Sequence, residues 1–462
     1  MKRYVGFLKQ ALHAIITENF FLRFSGGCES SPILMTELEK SRFPGRAAVI
    51  EMQSRLYAWL RDDALPLWDT HGIDRLHGGF YEEISAVGPQ LSLAAEGRLR
   101  RGRVVARQIY VFDIGERLGW RPGIVRPVDH GCDYLFTHMH AGDGHLHTAV
   151  DGISHAPETR FSLYEQAFYL FALARLQTAG PSRFPIEKTA IRCLERLRAV
   201  YGKRGGGFEE SQPPGLPLRS NPHMHLLEAA LEWIEAASEG TRPIWVGLAQ
   251  ELVSLCLTRF CDSATGLIRE YFDSQWRPVV GVDGRVLEPG HQFEWGWLLI
   301  QWASLPHADA RAQCLTAARR LIDAGERWGV DPHRGVAINE MWDDMTVKDG
   351  AAKLWPQTER VKAWCARLLL AGTEAEAEYA CDKIVMAARG MTKYLRKDVP
   401  GLWYESYSAE GTFSTGPTKA SSLYHLACAI HVLGKSVAAV SAGASGSALG
   451  SVGSNWTKEV LT

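Results

Sequence analysis

No two cysteines of this chain stand in a Cys-x-x-Cys spacing, although nine are scattered through it. An odd, dispersed set argues against a disulfide framework or a zinc-ribbon ligand set and fits free thiols in a reducing cytoplasm. No apolar run is long enough to span a bilayer. Lys9, His13 and Glu18 interrupt any signal-like stretch near the start. Neither sign of charge is in excess: 51 basic and 52 acidic residues interleave to a formal net charge of -1. That leaves no electrostatic reason for nucleic acid or an anionic membrane as partner. A glycine-rich phosphate loop, a dinucleotide fingerprint, a nucleophile elbow and an HExxH pair are also missing. Nucleotide, nicotinamide, serine-hydrolase and zincin chemistry therefore have no foothold, and neither cofactor nor metal is expected.

What is present is a repeat. Gly79, Gly144, Gly207, Gly266, Gly335 and Gly401 each lead a hairpin-like stretch, at steps of 65, 63, 59, 69 and 66 residues. Gly79-Phe80-Tyr81-Glu82, Gly207-Phe208-Glu209, Gly266-Leu267-Ile268-Arg269-Glu270 and Gly401-Leu402-Trp403-Tyr404-Glu405 share the theme. Glycine permits the turn, and the aromatic and branched residues favour a short strand. Apolar-periodic segments follow each hairpin and open near Arg107, Tyr164, His223, His291, Trp355 and His425. Asn221-Pro222 reads as an N-cap followed by a helix-starting proline, and Pro289 and Pro356 mark the matching starts. The partner helices lie over 47–68, 185–201, 243–261 and 308–328.

Six such helix pairs predict an all-α (α/α)6 toroid, a double ring with short β-hairpins at one mouth. An open solenoid is the alternative, but only a closed ring brings the polar helix starts together. The toroid is expected over 46–435. Residues 1–45 read as an extension of unknown role, and 436–462, rich in Ala, Ser and Gly, as a disordered tail. The 15 tryptophans suit a large helical core, or sugar stacking at a pocket.

The chemistry-bearing blocks are few. In Pro289-Gly290-His291-Gln292-Phe293-Glu294-Trp295, His291 and Glu294 stand three apart on one helical face. A carboxylate there raises the imidazole's proton affinity and orients it, which suits a general acid/base. Asn221-Pro222-His223-Met224-His225 places two histidines at a helix start, and Ser421-Ser422-Leu423-Tyr424-His425 opens the last helix. The HxH spacings, repeated at His138/His140 and His145/His147, lack the further ligands of a metal site. Arg107 interrupts an apolar face and can steady an oxyanion. Tyr164, and Trp355 with Glu359, complete the set. Histidines, an arginine, acids and aromatics suit proton transfer beside a sugar carbonyl.

Taken in order, Arg103–Tyr110, Asn221–Glu228, Pro289–Trp295, Trp355–Glu359 and Leu423–Ile430 resemble the N-acylglucosamine 2-epimerase superfamily over roughly 46–434. The resemblance implies that His291 shuttles a proton at the reacting carbon with Glu294 as partner. It implies that His425 serves in ring opening or as the opposite-face base, and that Arg107 lies near the reacting oxygens. Asn221, His225, Tyr164 and Trp355 match substrate-contacting positions, with Glu359 and His223 beside them. Disaccharide-active members carry a tryptophan shortly before the last histidine, and Thr418–Ser422 has none. The expectation is a cytoplasmic, cofactor-independent isomerase of a mannose-type monosaccharide and its ketose. A sugar 2-epimerase is the alternative, and a toroidal glycoside hydrolase or a non-catalytic sugar-binding protein stands behind both. The expected partners are the sugar and, as a homodimer, a second copy of the chain.

Overall fold

The computed structural model describes residues 44–87, 90–93 and 99–444. All but the last two residues of the expected extension, and residues 445–462 of the expected tail, lie outside the described residues.

The helices, in chain order, are α1 (Pro44–Ala58), α2 (Leu65–His71), α3 (Gly102–Arg117), α4 (Pro127–Tyr134), α5 (Leu163–Thr178), α6 (Ile186–Arg196), α7 (Ser220–Ala236), α8 (Arg242–Leu255), α9 (Pro289–Ala303), α10 (Arg311–Trp328), α11 (Trp355–Leu369), α12 (Glu374–Thr392) and α13 (Ala420–Ala444). From α3 onward the odd-numbered helices form an inner ring and the even-numbered an outer one, with α1 and α2 completing the outer ring. Burial separates the two sets. Inner α9 buries every residue except Gln301. Outer α10 buries Cys314, Ala318, Leu321, Ile322, Ala324 and Gly325, most of them at the three- and four-residue steps of one face. Four outer helices end in a wider π-helical turn: Trp59–Ala64, Leu135–Met139, Leu197–Tyr201 and Cys256–Phe260.

Closure is seen twice. Each inner helix packs on the next, and α13 packs on α3. At the mouth, the strand before an inner helix pairs with the hairpin of the following unit. Leu99–Arg101 pairs with Ala149–Asp151, Leu218–Arg219 with Tyr271–Phe272, Val286–Leu287 with Glu340–Trp342 and Ala352–Lys353 with Ser406–Tyr407. The last strand, Thr418–Lys419, returns to the first, Glu83–Val87. The chain is therefore the expected (α/α)6 toroid, and the solenoid is excluded.

All six repeat glycines take positive φ, from 68° at Gly335 to 104° at Gly144. Each turn lets its hairpin close, as at Ile73–Phe80, Cys261–Ile268 and Leu395–Trp403. Three boundaries differ from expectation. The first unit carries two hairpins and not one: the Gly78-Gly79 turn closes Ile73–Phe80, and Glu83–Val87 pairs with Gln90–Leu93. Helix α13 continues to Ala444, so 436–444 extend the last inner helix. Asn221 is not an N-cap, because α7 already begins at Ser220. No described helix is long and apolar enough to cross a membrane.

The glycines differ in what surrounds them. A Cβ on Gly335 would meet nothing within 4 Å, whereas one on Gly401 would stand 2.6 Å from the Asp63 carbonyl oxygen. Gly335→Ala should lose about 1 kcal/mol from the left-handed backbone alone. Gly401→Ala should lose about 3 kcal/mol or more, because backbone must also move. Thermal midpoints of the two variants check this, and equal shifts would contradict it.

Candidate active site

Helix starts leave amides without partners, and four hairpin glutamates supply acceptors. Carbonyl oxygens of Glu82, Glu210, Glu270 and Glu405 accept from the N–H of Ala420, Leu163, Ser220 and Leu354, at the start of the preceding unit's inner helix. Their carboxylates accept from the N–H of Arg101, Arg219, Glu288 and Lys419, just before the inner helix of their own unit. The N-terminal ends of the inner helices are thereby pinned around one mouth.

A second repeat sets the register. Gln166, Gln292 and Gln357 each use the side-chain amide to bind both the N–H and the C=O of a hairpin residue: Leu146, Ile268 and Ala337. In the third unit His223 takes this place. Its Nε2 accepts from Phe208 N–H at 3.0 Å, and its Nδ1 lies 3.2 Å from the Arg219 carbonyl oxygen. Burial brings His223 down to about 4, so it is neutral with both nitrogens satisfied. His223 is a hairpin clamp and not a substrate contact, which corrects the sequence reading.

With that register, the equivalent inward residues are Arg107, Phe168, His225, Glu294 and His425, each sixth in its helix, and Glu359, fifth in α11. They touch in turn around the axis. The Arg107 guanidinium lies 4.1 Å from the Phe168 ring centre, and the Phe168 and His225 rings are 4.6 Å apart. His225 Nδ1 is 3.9 Å from Glu294 Oε1, and Lys362 Nζ is 4.0 Å from that oxygen and 2.5 Å from Glu359 Oε2. Glu359 Oε1 meets His425 Nδ1 at 2.9 Å. Tyr424, at 5.1 Å from the Arg107 guanidinium, completes the circuit, and its hydroxyl donates to Glu228.

Nearer the mouth stand Tyr164, Asn221, His291 and Trp355. The Tyr164 hydroxyl accepts from Arg107 Nη2 at 2.9 Å. Asn221 Nδ2 lies 3.2 Å from His291 Nε2. The Trp355 ring is 5.0 Å from His291 and 6.2 Å from His425. Gly290 has no side chain because a Cβ there would run into that ring. Nine of the ten expected residues therefore converge, and His223 alone is elsewhere. One pairing is corrected: the carboxylate on His291 is Glu270, 2.8 Å from Nδ1, and not Glu294. Glu294 faces the inner circuit instead, with Oε1 buried and without a hydrogen-bond partner.

The two flanking histidines are pushed in opposite directions. Burial would lower His291, but Glu270 and Glu288 outweigh it and bring the imidazole up to about 10. Burial, reinforced by Arg107 and Lys362, holds His425 well below the usual histidine range. Burial also lowers His225, although its hydrogen bond to Glu228 opposes this. Burial raises Glu294 well above the carboxylate range, helped by the charge of Glu359. Glu228 is brought down to about 2 against its burial by the His225 hydrogen bond and Lys362. One imidazolium and one neutral imidazole at a shared site form a matched acid and base. Asn221 can serve both states of His291. Nδ2 faces the neutral ring, and an amide turn would offer imidazolium Nε2–H the Oδ1 that now lacks a partner.

His225, Glu228 and Glu294 place ligand atoms within 4.8 Å of one another, as do Glu270, Glu288 and His291. The His225–Glu228 and His291–Glu270 hydrogen bonds already occupy those atoms. Sequence reasoning missed Glu270 and Lys362. Glu270 had a signal, since a glutamate follows the repeat glycine within three to five residues at Glu82, Glu210, Glu270, Glu340 and Glu405. Lys362 had a weaker one, a cation on the buried face of an inner helix.

The inner mouth of a helical toroid thus holds two buried histidines shifted in opposite directions, an arginine and an aromatic ring, an arrangement suited to proton transfer. The chain belongs to the N-acylglucosamine 2-epimerase (GlcNAc 2-epimerase) family, whose sequence profile matches residues 79–429. It is 39% identical over 381 residues to a mannose-6-phosphate isomerase of Rhizobium meliloti (strain 1021), covering 82% of this chain and 95% of the relative. It is 24% identical over 354 residues to a D-mannose isomerase of Pseudomonas cannabina pv. alisalensis, covering 70% of this chain and 82% of the relative. Its fold matches cellobiose 2-epimerase from Spirochaeta thermophila DSM 6192 with a TM-score of 0.71 at 23% identity, over 86% of this chain and 98% of that one. The protein is accordingly a carbohydrate isomerase or epimerase.

His223→Gln should keep kcat within about threefold, because three other units already use glutamine there, while His225→Gln should lose about a hundredfold or more. Steady-state assays on both separate the clamp from the site. Glu270→Gln removes the charge that raises His291. The basic limb of the kcat–pH profile, set by deprotonation of His291, should then move to lower pH by about one unit or more. An unmoved limb would reject the assignment of His291 as the resting acid.

Proposed function

We propose that the chain interconverts a mannose-type aldose and its ketose by proton transfer through an enediol. The observation that carries the reading is a pair of histidines at one centre, each hydrogen-bonded through Nδ1 to its own glutamate, His291 to Glu270 and His425 to Glu359, with His291 raised by its glutamates and His425 lowered by burial. His291, protonated, gives its proton to the ring oxygen while neutral His425 takes that of the anomeric hydroxyl. The ring opens, and the two histidines exchange states. His291, now neutral and backed by Glu270, takes the C2 proton as His425 returns one to O1, which yields the enediol. His291 then delivers its proton to C1 as His425 takes the O2 proton, which leaves the ketose. Closure of the ketose ring, in which His291 takes the proton of the attacking hydroxyl and His425 returns one to O2, restores the resting charges, and Arg107 stabilises oxygen charge as it develops.

The 39% relative's name supports the 6-phosphate forms as substrates. So do exposed cations within two residues before four inner helices, at Arg101, Arg219, Lys353 and Lys419, the two arginines being paired with Glu82 and Glu210. A 2-epimerase is the second reading, favoured by the presence of two histidines, His291 and His425, beside the one Trp355 ring. In that reaction one histidine takes the C2 proton and the other returns one to the opposite face.

Incubation in deuterated water with mannose, mannose 6-phosphate, fructose 6-phosphate, glucose and N-acylmannosamine tests both. Label at C1 of the ketose or C2 of the aldose, with kcat/KM for the phosphorylated pair at least tenfold above free mannose, is expected. A C2 epimer without ketose would select the second reading, and absence of exchange from every sugar would end both. His291→Ala should lower kcat by about two to four orders of magnitude.

A further inference from the structure

The lysine beneath the paired histidines has no role in the steps above, yet it is fully buried at the centre of the acid cluster. Lys362 Nζ lies 2.5 Å from Glu359 Oε2, 4.0 Å from Glu294 Oε1 and 3.9 Å from the centre of the Trp297 ring. Its side chain and that of Glu359 are both 0% exposed. An ammonium in such a place is retained only where charge partners replace its water. Here the partner is one oxygen of Glu359, whose other oxygen holds His425 Nδ1.

We propose that Lys362 is a positioning residue: it keeps Glu359 ionised, so that Glu359 accepts from Nδ1–H of His425 and leaves Nε2 as the free base. Without the lysine, a carboxylate buried beside Glu294 and Glu228 would take up a proton or draw one onto His425. Either way the unprotonated Nε2 is lost at neutral pH. The ammonium does this without touching substrate. The groups that face the Glu359–His425 pair are Glu228 and His225 from α7, Glu294 from α9, Arg107 from α3 and Cys428 on α13 itself. Arg107 is a cation beside His425 as well, but its hydrogen bonds go to the Tyr164 hydroxyl and the Ser421 carbonyl oxygen, whereas Lys362 ion-pairs with Glu359 itself.

The inference rests on the sugar-isomerase reading for the meaning of His425, and the test keeps the two apart. Wild-type deuterium exchange reports on that reading, and Lys362 variants report on this one. Lys362→Met keeps the length of the side chain and removes the charge. Its kcat should fall about ten- to a hundredfold at pH 7 with KM changed less than threefold. The acid limb of its kcat–pH profile, set by protonation of His425, should move up by about one unit. Lys362→Arg should restore the limb. If Lys362→Met does not fold, Glu359→Gln and the double variant Glu359→Gln/Lys362→Met replace it, because the neutral amide no longer needs a cation. The double variant should then be as fast as Glu359→Gln alone, within threefold. An acid limb that stays in place in folded Lys362→Met, or a further tenfold loss in the double variant, would overturn the proposal.

Discussion

The first amides of an inner helix have no partner within their own helix, and this toroid satisfies them from a neighbouring unit. One glutamate per hairpin, in four units, offers its backbone oxygen to the helix behind and its carboxylate to the helix ahead. The bond from Ala420 N–H to the Glu82 carbonyl oxygen, 2.8 Å long, joins the last unit to the first. Without that stitch the inner helices could splay, and side chains at equivalent positions would not share a centre. Ring closure and the convergence of the site are one constraint seen at two scales.

The same device meets an imidazole in the fourth unit. Glu270 still caps the stretch before α9, but its second oxygen orients His291. In the sixth unit, Glu405 spends its second oxygen on Ser422. The staple thus also holds a buried imidazole with no new backbone arrangement. His223 is the reverse case, an imidazole doing what glutamine does elsewhere in the ring. Residue type is a poor guide to role in a repeat. Position within the unit is the better one.

Three buried glutamates, Glu228, Glu294 and Glu359, sit together around one lysine. Like charges at such separations cannot all ionise at low dielectric, so the cluster divides its protons. Glu228 is pulled down and Glu294 pushed up. The folded site holds more acids than the blocks named from the sequence, because Glu270 and Glu288 join from outside those blocks.

Much was legible in the chain. Six glycines at near-even steps announced the units, since a tight turn with positive φ tolerates little else. Apolar periodicity placed the partner helices at 185–201, 243–261 and 308–328 close to α6, α8 and α10 with their flanking turns. Nine of the ten expected residues gather around one centre, and they were legible because a polar side chain at the start of an apolar helix stands out. What the sequence by itself determined was local: turn, helix, repeat length and the inventory of reactive groups. The tertiary structure decided which acid meets which imidazole, that His223 clamps a hairpin, and that Lys362 lies under Glu359. Those are contacts between units tens of residues apart. They depend on the angle at which a closed ring brings its helices together, and no spacing along one helix encodes that angle.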